Sequence, residues 1–213
     1  TPLGDLSFVV FDCEMTGLDP MGGDEIISIA GVRVVKGRVL TGETFERLIN
    51  PGKPIPTASI RFHGITDDQV QGKPSITEVL PLFHNLVGDA IMVAHNAAFD
   101  RKFWEASTTG LGRRDADRFV CSLLLARRLF PSAPNHKLAT LVRALGLPAA
   151  GRYHRALADA ECTAHLFIRL QQQVQQAFDL PSCDCDLLLK LQAANRHQLA
   201  RCVQRYLDAL ESV

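Results

Sequence analysis

Apolar residues come first in short unbroken runs and later in helical stripes. Phe8 to Phe11 is a run of β-branched and aromatic residues, and the chain turns away at Gly17, Asp19 and Pro20. That pattern predicts a buried central strand. Glu25 to Val35 predicts a second strand, Lys36-Gly37 a turn, and Arg38 to Ile49 a third strand, so an antiparallel hairpin follows. A breaker-rich loop (50–56) leads to a short helix over Thr57 to His63. Thr66 to Gln69 and Ser75 to Glu78 have capping-box spacing, the second opening a helix to about Val87. Ala90 to His95 and Phe119 to Ser122 read as short strands. Helices are predicted from Asn96 to about Ser107, Leu123 to Phe130, Lys137 to Leu145 and His154 to about Phe178. Asp179 to Asp186 breaks the pattern. Leu187 to Ser212 then predicts one amphipathic helix, with Leu188, Leu191, Leu199, Val203, Tyr206 and Leu210 near helical spacing. A hairpin followed by strands alternating with helices implies an α/β fold, a mixed sheet covered by helices. The expected division is a main domain over 1–178 and a C-terminal helical extension over 179–213.

Composition narrows the function. Of the 213 residues 46% are apolar, which argues against disorder. Lys plus Arg and Asp plus Glu number 23 each, so the net charge is zero and any nucleic-acid contact should be local. No apolar run approaches the ~20 residues of a membrane span, and the start is not signal-like; no membrane association and a cytoplasmic location are expected. Six cysteines scattered through a chain able to build its own core suit reduced thiols.

The chemistry concentrates in three segments. Asp12 and Glu14 lie two residues apart on the first strand and so point the same way. Two like charges at the end of an apolar strand suit a hard divalent cation, and the pair alone equally suits a solvated strand end. His95-Asn96-Ala97-Ala98-Phe99-Asp100 follows a strand, and Tyr153 to Asp159 opens a helix. Active sites of open α/β sheets lie where such strand ends meet. Asp12, Glu14, Asp100 and Asp159 together would carry a charge of about −4, which two Mg²⁺ or Mn²⁺ ions would neutralise. His154, five residues before Asp159, would stand at the helix entrance, where it could take a proton from an attacking water. Arg152 and Arg155 flank it and are candidates to steer phosphates, while His95 reads as structural.

These segments resemble the motifs of the DEDD exonuclease superfamily, histidine branch, close to the proofreading epsilon-subunit-like 3′–5′ exonucleases. Asp12, Glu14, Thr16 and Gly17 match the first motif, His95 to Asp100 the second, and His154, Ala156, Asp159 and Ala160 the third. The resemblance spans about residues 7 to 176. It implies an RNase H-like fold, with a mixed five-stranded sheet flanked by helices. It also implies that residues 1–178 form an exonuclease domain binding two metal ions per active site. By the same resemblance Asp12 would bridge both ions, Glu14 and Asp159 would hold the nucleophile-side ion, Asp100 the leaving-group ion, and His154 would be the general base. Thr16, Gly17, Leu18, Phe62, His63, Asn96 and Phe99 would contact the terminal nucleotides. The implied reaction shortens 3′ ends of single-stranded nucleic acid, DNA favoured, to nucleoside 5′-monophosphates. Met15 departs toward the oligoribonuclease pattern, so an RNA-directed exoribonuclease stands as an alternative. A catalytically silent nucleic-acid-binding or polymerase-docking module stands as another. The 179–213 extension matches nothing in the family and is a candidate to bind a polymerase subunit or a second copy, with packing on its own domain as the default.

Overall fold

A computed structural model of the chain describes residues 7–108, 119–149 and 155–212. The apolar run at the start forms β1 (Ser7–Met15), the middle strand of a five-stranded sheet. β2 (Ile26–Val35) and β3 (Arg38–Leu48) form the expected hairpin, with β2 antiparallel to β1 on one side. On the other side β4 (Ile91–Ala94) runs parallel to β1, and β5 (Phe119–Cys121) runs parallel to β4. The order β3-β2-β1-β4-β5 gives the mixed sheet that the sequence predicts.

Alternation along β1 divides the core in two. Phe8 and Val10 join one buried cluster with α7 (Arg155–Phe178). Val9, Phe11, Cys13 and Met15 join the other with α3 (Ile76–Val87) and α4 (Ala97–Thr108). Side chains on a strand alternate faces, so one strand serves both layers. Ala156, Ala160 and Ala164 recur at every fourth position of α7 and are buried, so the helix lies close on the sheet. Two short helices, α1 (Thr57–His63) and α2 (Asp67–Val70), follow the hairpin, and α5 (Ser122–Leu129) and α6 (Leu138–Ala144) follow β5. Both expected capping boxes form, at Thr66 and at Ser75.

The extension differs from the single helix expected over Leu187 to Ser212. It forms two, α8 (Cys185–Ala193) and α9 (Leu199–Glu211). The Asp184 side chain caps α8 by accepting the Leu187 N–H at 2.8 Å. At the break Ala194 is extended, and the Asn195 side chain accepts the His197 N–H at 2.9 Å. That local bond competes with the helix ladder. Leu187, Leu188 and Leu191 belong to the same buried cluster as Phe8, Val10 and α7. The Tyr206 hydroxyl of α9 donates to Asp184, tying α9 back to the start of α8. Among the described residues no helix is long and apolar enough to cross a membrane, and no disulfide links the six cysteines.

Candidate active site

The face of β1 that carries Phe8 and Val10 onto α7 continues at its exit with Asp12 and Glu14. Asp159, one turn into α7, meets them there: ligand oxygens of Asp12, Glu14 and Asp159 all lie within 4.8 Å of one another. The β1–β2 register shifts between Glu14 and Met15, an irregularity of the kind that re-aims side chains beside functional sites. Asp100 arrives from the other layer. Asn96 takes a left-handed conformation (φ 66°), which turns the chain sharply from β4 into α4 and sets Asp100 in the first helical turn. Asp100 is buried and lines the same cavity, of about 650 Å³, as the other three carboxylates.

The electrostatics are those of a crowded anionic site. Burial pushes Asp12 well above the carboxylate range, and the charges of Asp100, Glu14 and Asp159 push it further. Burial raises Asp100 to about 8 against the pull of the backbone at its own residue and at Cys13. Burial also raises Glu14, to about 7, while Arg155 works against it. Asp159 is raised by burial too, again opposed by Arg155. The Arg155 guanidinium is 3.6 Å from Glu14 and 3.9 Å from Asp159, stacks 4.5 Å from the Phe62 ring centre and donates to the Phe62 carbonyl. Four carboxylates facing one cavity, three of them mutually close, form an all-oxygen donor set whose charge a hard divalent cation would offset. The donor set therefore fits a divalent metal.

Gly17, Leu18, Phe62, His63, Asn96 and Phe99 all line this cavity. Leu18 and Phe62 are exposed, at 80% and 68%, so apolar surface is presented at the mouth. Thr16 does not line it. Its hydroxyl is turned inward, donating to Asp24 at 3.0 Å and accepting the Glu25 N–H at 3.0 Å, and it holds the loop that carries Gly17 and Leu18. Nδ1 of His63 accepts the Ile65 N–H at 3.0 Å, and burial keeps the ring's pKa low despite the Met15 carbonyl. His154, Arg152 and Tyr153 lie outside the described residues.

Several lining residues were not singled out by the sequence: Cys13, Ala58, Ser59 and Leu138. Ser59 donates to the Thr16 carbonyl at 2.6 Å, joining α1 to the end of β1. His95 is held as a structural residue. Its Nε2–H donates to the His136 carbonyl at 2.9 Å, and its Nδ1 pairs with the Ser122 hydroxyl at 2.8 Å. The contact of Arg155 with Asp159 had a signal in the sequence, the i,i+4 spacing on a helix. Its contact with Phe62, 93 residues away, had none.

Comparison with known proteins gives a consistent result. The exonuclease family profile RNase_T matches residues 9–167. A DNA polymerase III subunit epsilon-like protein of Rhodobacter capsulatus is 46% identical over 172 residues, 80% of this chain and 24% of the relative. A PolC-type DNA polymerase III of Halalkalibacterium halodurans is 41% identical over 170 residues, 79% of this chain and 12% of the relative. This chain thus spans a quarter or less of the curated relatives' length. Among solved structures, exonuclease X in complex with 5′ overhanging duplex DNA is similar, with a TM-score of 0.63 and 26% identity over 85% of this chain and 99% of that one.

Proposed function

The chain belongs to the RNase_T exonuclease family, and from that premise we propose that it is a metal-dependent 3′–5′ exonuclease acting on single-stranded ends, DNA before RNA. The observation that carries the proposal is the convergence of Asp12, Glu14 and Asp159 within 4.8 Å, beside a buried Asp100, in an open cavity with apolar residues at its mouth. In this reading the four carboxylates hold two Mg²⁺ or Mn²⁺ ions. When bound, the ions would supply the positive charge that steadies both the attacking and the departing oxygen. His154 would accept the proton of the attacking water, a role supported by its place five residues before Asp159. Leu18, Phe62 and Phe99 would hold the terminal base by apolar and stacking contact, worth about 1–3 kcal/mol per base and indifferent to its identity. Thr16, Gly17, His63 and Asn96 would shape the pocket around the terminal sugar and phosphate. The leaving product would be a nucleoside 5′-monophosphate.

The preference for DNA is supported by the relatives, which are named as parts of DNA polymerase III, and by the DNA-bound exonuclease X. The same names support a replicative polymerase as partner. We take 1–178 as the exonuclease domain, 179–213 as an extension to it, and the cytoplasm as the place where it works. The test is a time course on 5′-labelled DNA and RNA oligonucleotides of one sequence, with Mg²⁺, Mn²⁺ or EDTA. The expected result is a ladder shortening from the 3′ end with either metal, faster on DNA, and absent in EDTA. Asp12→Ala should abolish it, and His154→Ala should slow it by roughly 10²–10⁴ while sparing metal binding. No shortening of either strand with either metal would overturn the proposal.

A further inference from the structure

Two concavities outside the catalytic cavity remain to be explained. The first, of about 490 Å³, is lined by Arg127, Arg128 and His136 from α5 and the loop after it, and by Asn195 and Arg196 at the α8–α9 break. The second, of about 430 Å³, is lined by Lys190, Arg201 and Arg205 on α8 and α9. They share Ala194 and Asn195 and so lie side by side. Among the described residues neither is lined by a carboxylate. In a chain with 23 acidic and 23 basic residues, six lining Lys and Arg side chains without one acid mark a segregated positive surface.

This surface adjoins the catalytic cavity. His136 lines the first concavity, Leu138 lines the catalytic cavity, and His95 of that cavity donates to the His136 carbonyl at 2.9 Å. The segment 136–138 is therefore a shared wall. Arg128 bolts the far side in place, donating to the Ala194 carbonyl at 2.8 Å and to the Leu124 carbonyl at 2.9 Å. The α8–α9 break, which no Gly or Pro imposes, thereby holds Asn195 and Arg196 beside Arg127. The break lies beyond residue 167, where the family match ends.

We propose that Arg127, Arg196, Arg201 and Arg205 form a track for the phosphodiester backbone of the single-stranded DNA whose 3′ end occupies the catalytic cavity. On this assignment the extension grips substrate several nucleotides upstream of the cut. The track reads phosphates more than bases, because its exposed guanidinium forks match phosphate oxygens and its aromatic rings are limited, among the described residues, to Tyr206 and His136. The assignment rests on the exonuclease reading for the strand's polarity but not for binding itself.

The test measures binding and turnover separately. Fluorescein-labelled dT20 is titrated in EDTA by anisotropy between 50 and 300 mM NaCl, against wild type, Arg127→Ala/Arg196→Ala and Arg201→Ala/Arg205→Ala. Each pair of exposed arginines removes about two phosphate contacts. The slope of log Kd against log salt should therefore flatten by about 1.4, at 0.7 per contact on single strands. Metal-dependent shortening of dT20 should slow in the same variants, and that of dT3, which has only two phosphodiesters to offer the track, should slow less. Unchanged salt slopes in both variants would overturn the track. So would equal competition by polyglutamate, which would mark the surface as a dock for acidic protein. If wild type shortens neither oligonucleotide, the exonuclease reading fails, and the anisotropy result still decides whether the track exists.

Discussion

Gly17→Ala tests how the pocket loop is held. A Cβ at residue 17 would stand 2.5 Å from Cγ and Oδ1 of Asp24, and closer still to Oδ2. The carboxylate would have to swing away. It now accepts the Thr16 hydroxyl at 3.0 Å and the Asp19 N–H at 3.0 Å, and both bonds would be lost. A hydrogen bond to a charged group contributes about 1.5–3 kcal/mol net of water, and these two are partly exposed, so the lower end applies and the total is about 3 kcal/mol. For a domain of this size that lowers Tm by about 6–12 °C. The informative measurement is a double-mutant cycle with Asp24→Ala. Asp24→Ala removes the same two bonds and the clash partner together, so the double variant should melt where Asp24→Ala does. Additive losses would refute the reasoning, because they would mean that Gly17→Ala acts through the backbone and not through Asp24. The cycle should also appear in function, as a raised KM for oligonucleotides with the same non-additivity, since Leu18 rides on this loop.

Three further outcomes follow from burial and charge. Asp100 and Glu14 titrate at about 8 and about 7 in the fold, against 3.8 and 4.5 ordinarily, so their protonated forms favour folding. That stabilisation is complete below about pH 4 and is lost as pH rises through 7 to 8. The Tm of EDTA-treated protein should accordingly fall between pH 5 and 8.5, and Mn²⁺ should restore more of it at pH 8 than at pH 5.5; a flat or rising metal-free profile would refute this. Leu188→Ala, at a fully buried position of α8, should cost about 2–5 kcal/mol in urea unfolding, and a cost under 1 would show that α8 is not part of the core. Gln192→Ala should cost about 1–3 kcal/mol and remove hydrogen-exchange protection from the Cys121 amide, which the Gln192 side chain accepts at 2.7 Å.

Local features were legible where one interaction range dominated. The two-residue period of β1 and the turn at Lys36-Gly37 appear directly as the central strand and its hairpin neighbours. Both capping boxes formed because a cap is settled within four residues. The approach of Asp159 to Asp12 and Glu14 could be anticipated because each lies at the end of a strongly patterned element. The break in the extension was not legible: Leu188, Leu191, Leu199 and Val203 keep helical spacing across it, and the competing bond of Asn195 is visible only with the backbone in place. Thr16 was assigned to the pocket by its motif, yet its hydroxyl closes the loop from within through Asp24 and Glu25, partners eight and nine residues on.

The side chain of Gln192 has a consequence for synthesis. β5 is one of the two edge strands of the sheet, and its Cys121 N–H and Phe119 carbonyl are satisfied by the oxygen and nitrogen of one amide, at 2.7 and 3.1 Å. A single glutamine thus occupies the place of a sixth strand. It lies 71 residues downstream of Cys121. At about 5–20 residues per second the ribosome needs about 4–14 s to add them. Through that interval the nascent sheet presents an unsealed edge to its neighbours on a polysome, and it closes only when α8 has emerged and docked. A truncation before residue 192 should therefore aggregate during expression even where the catalytic residues are complete.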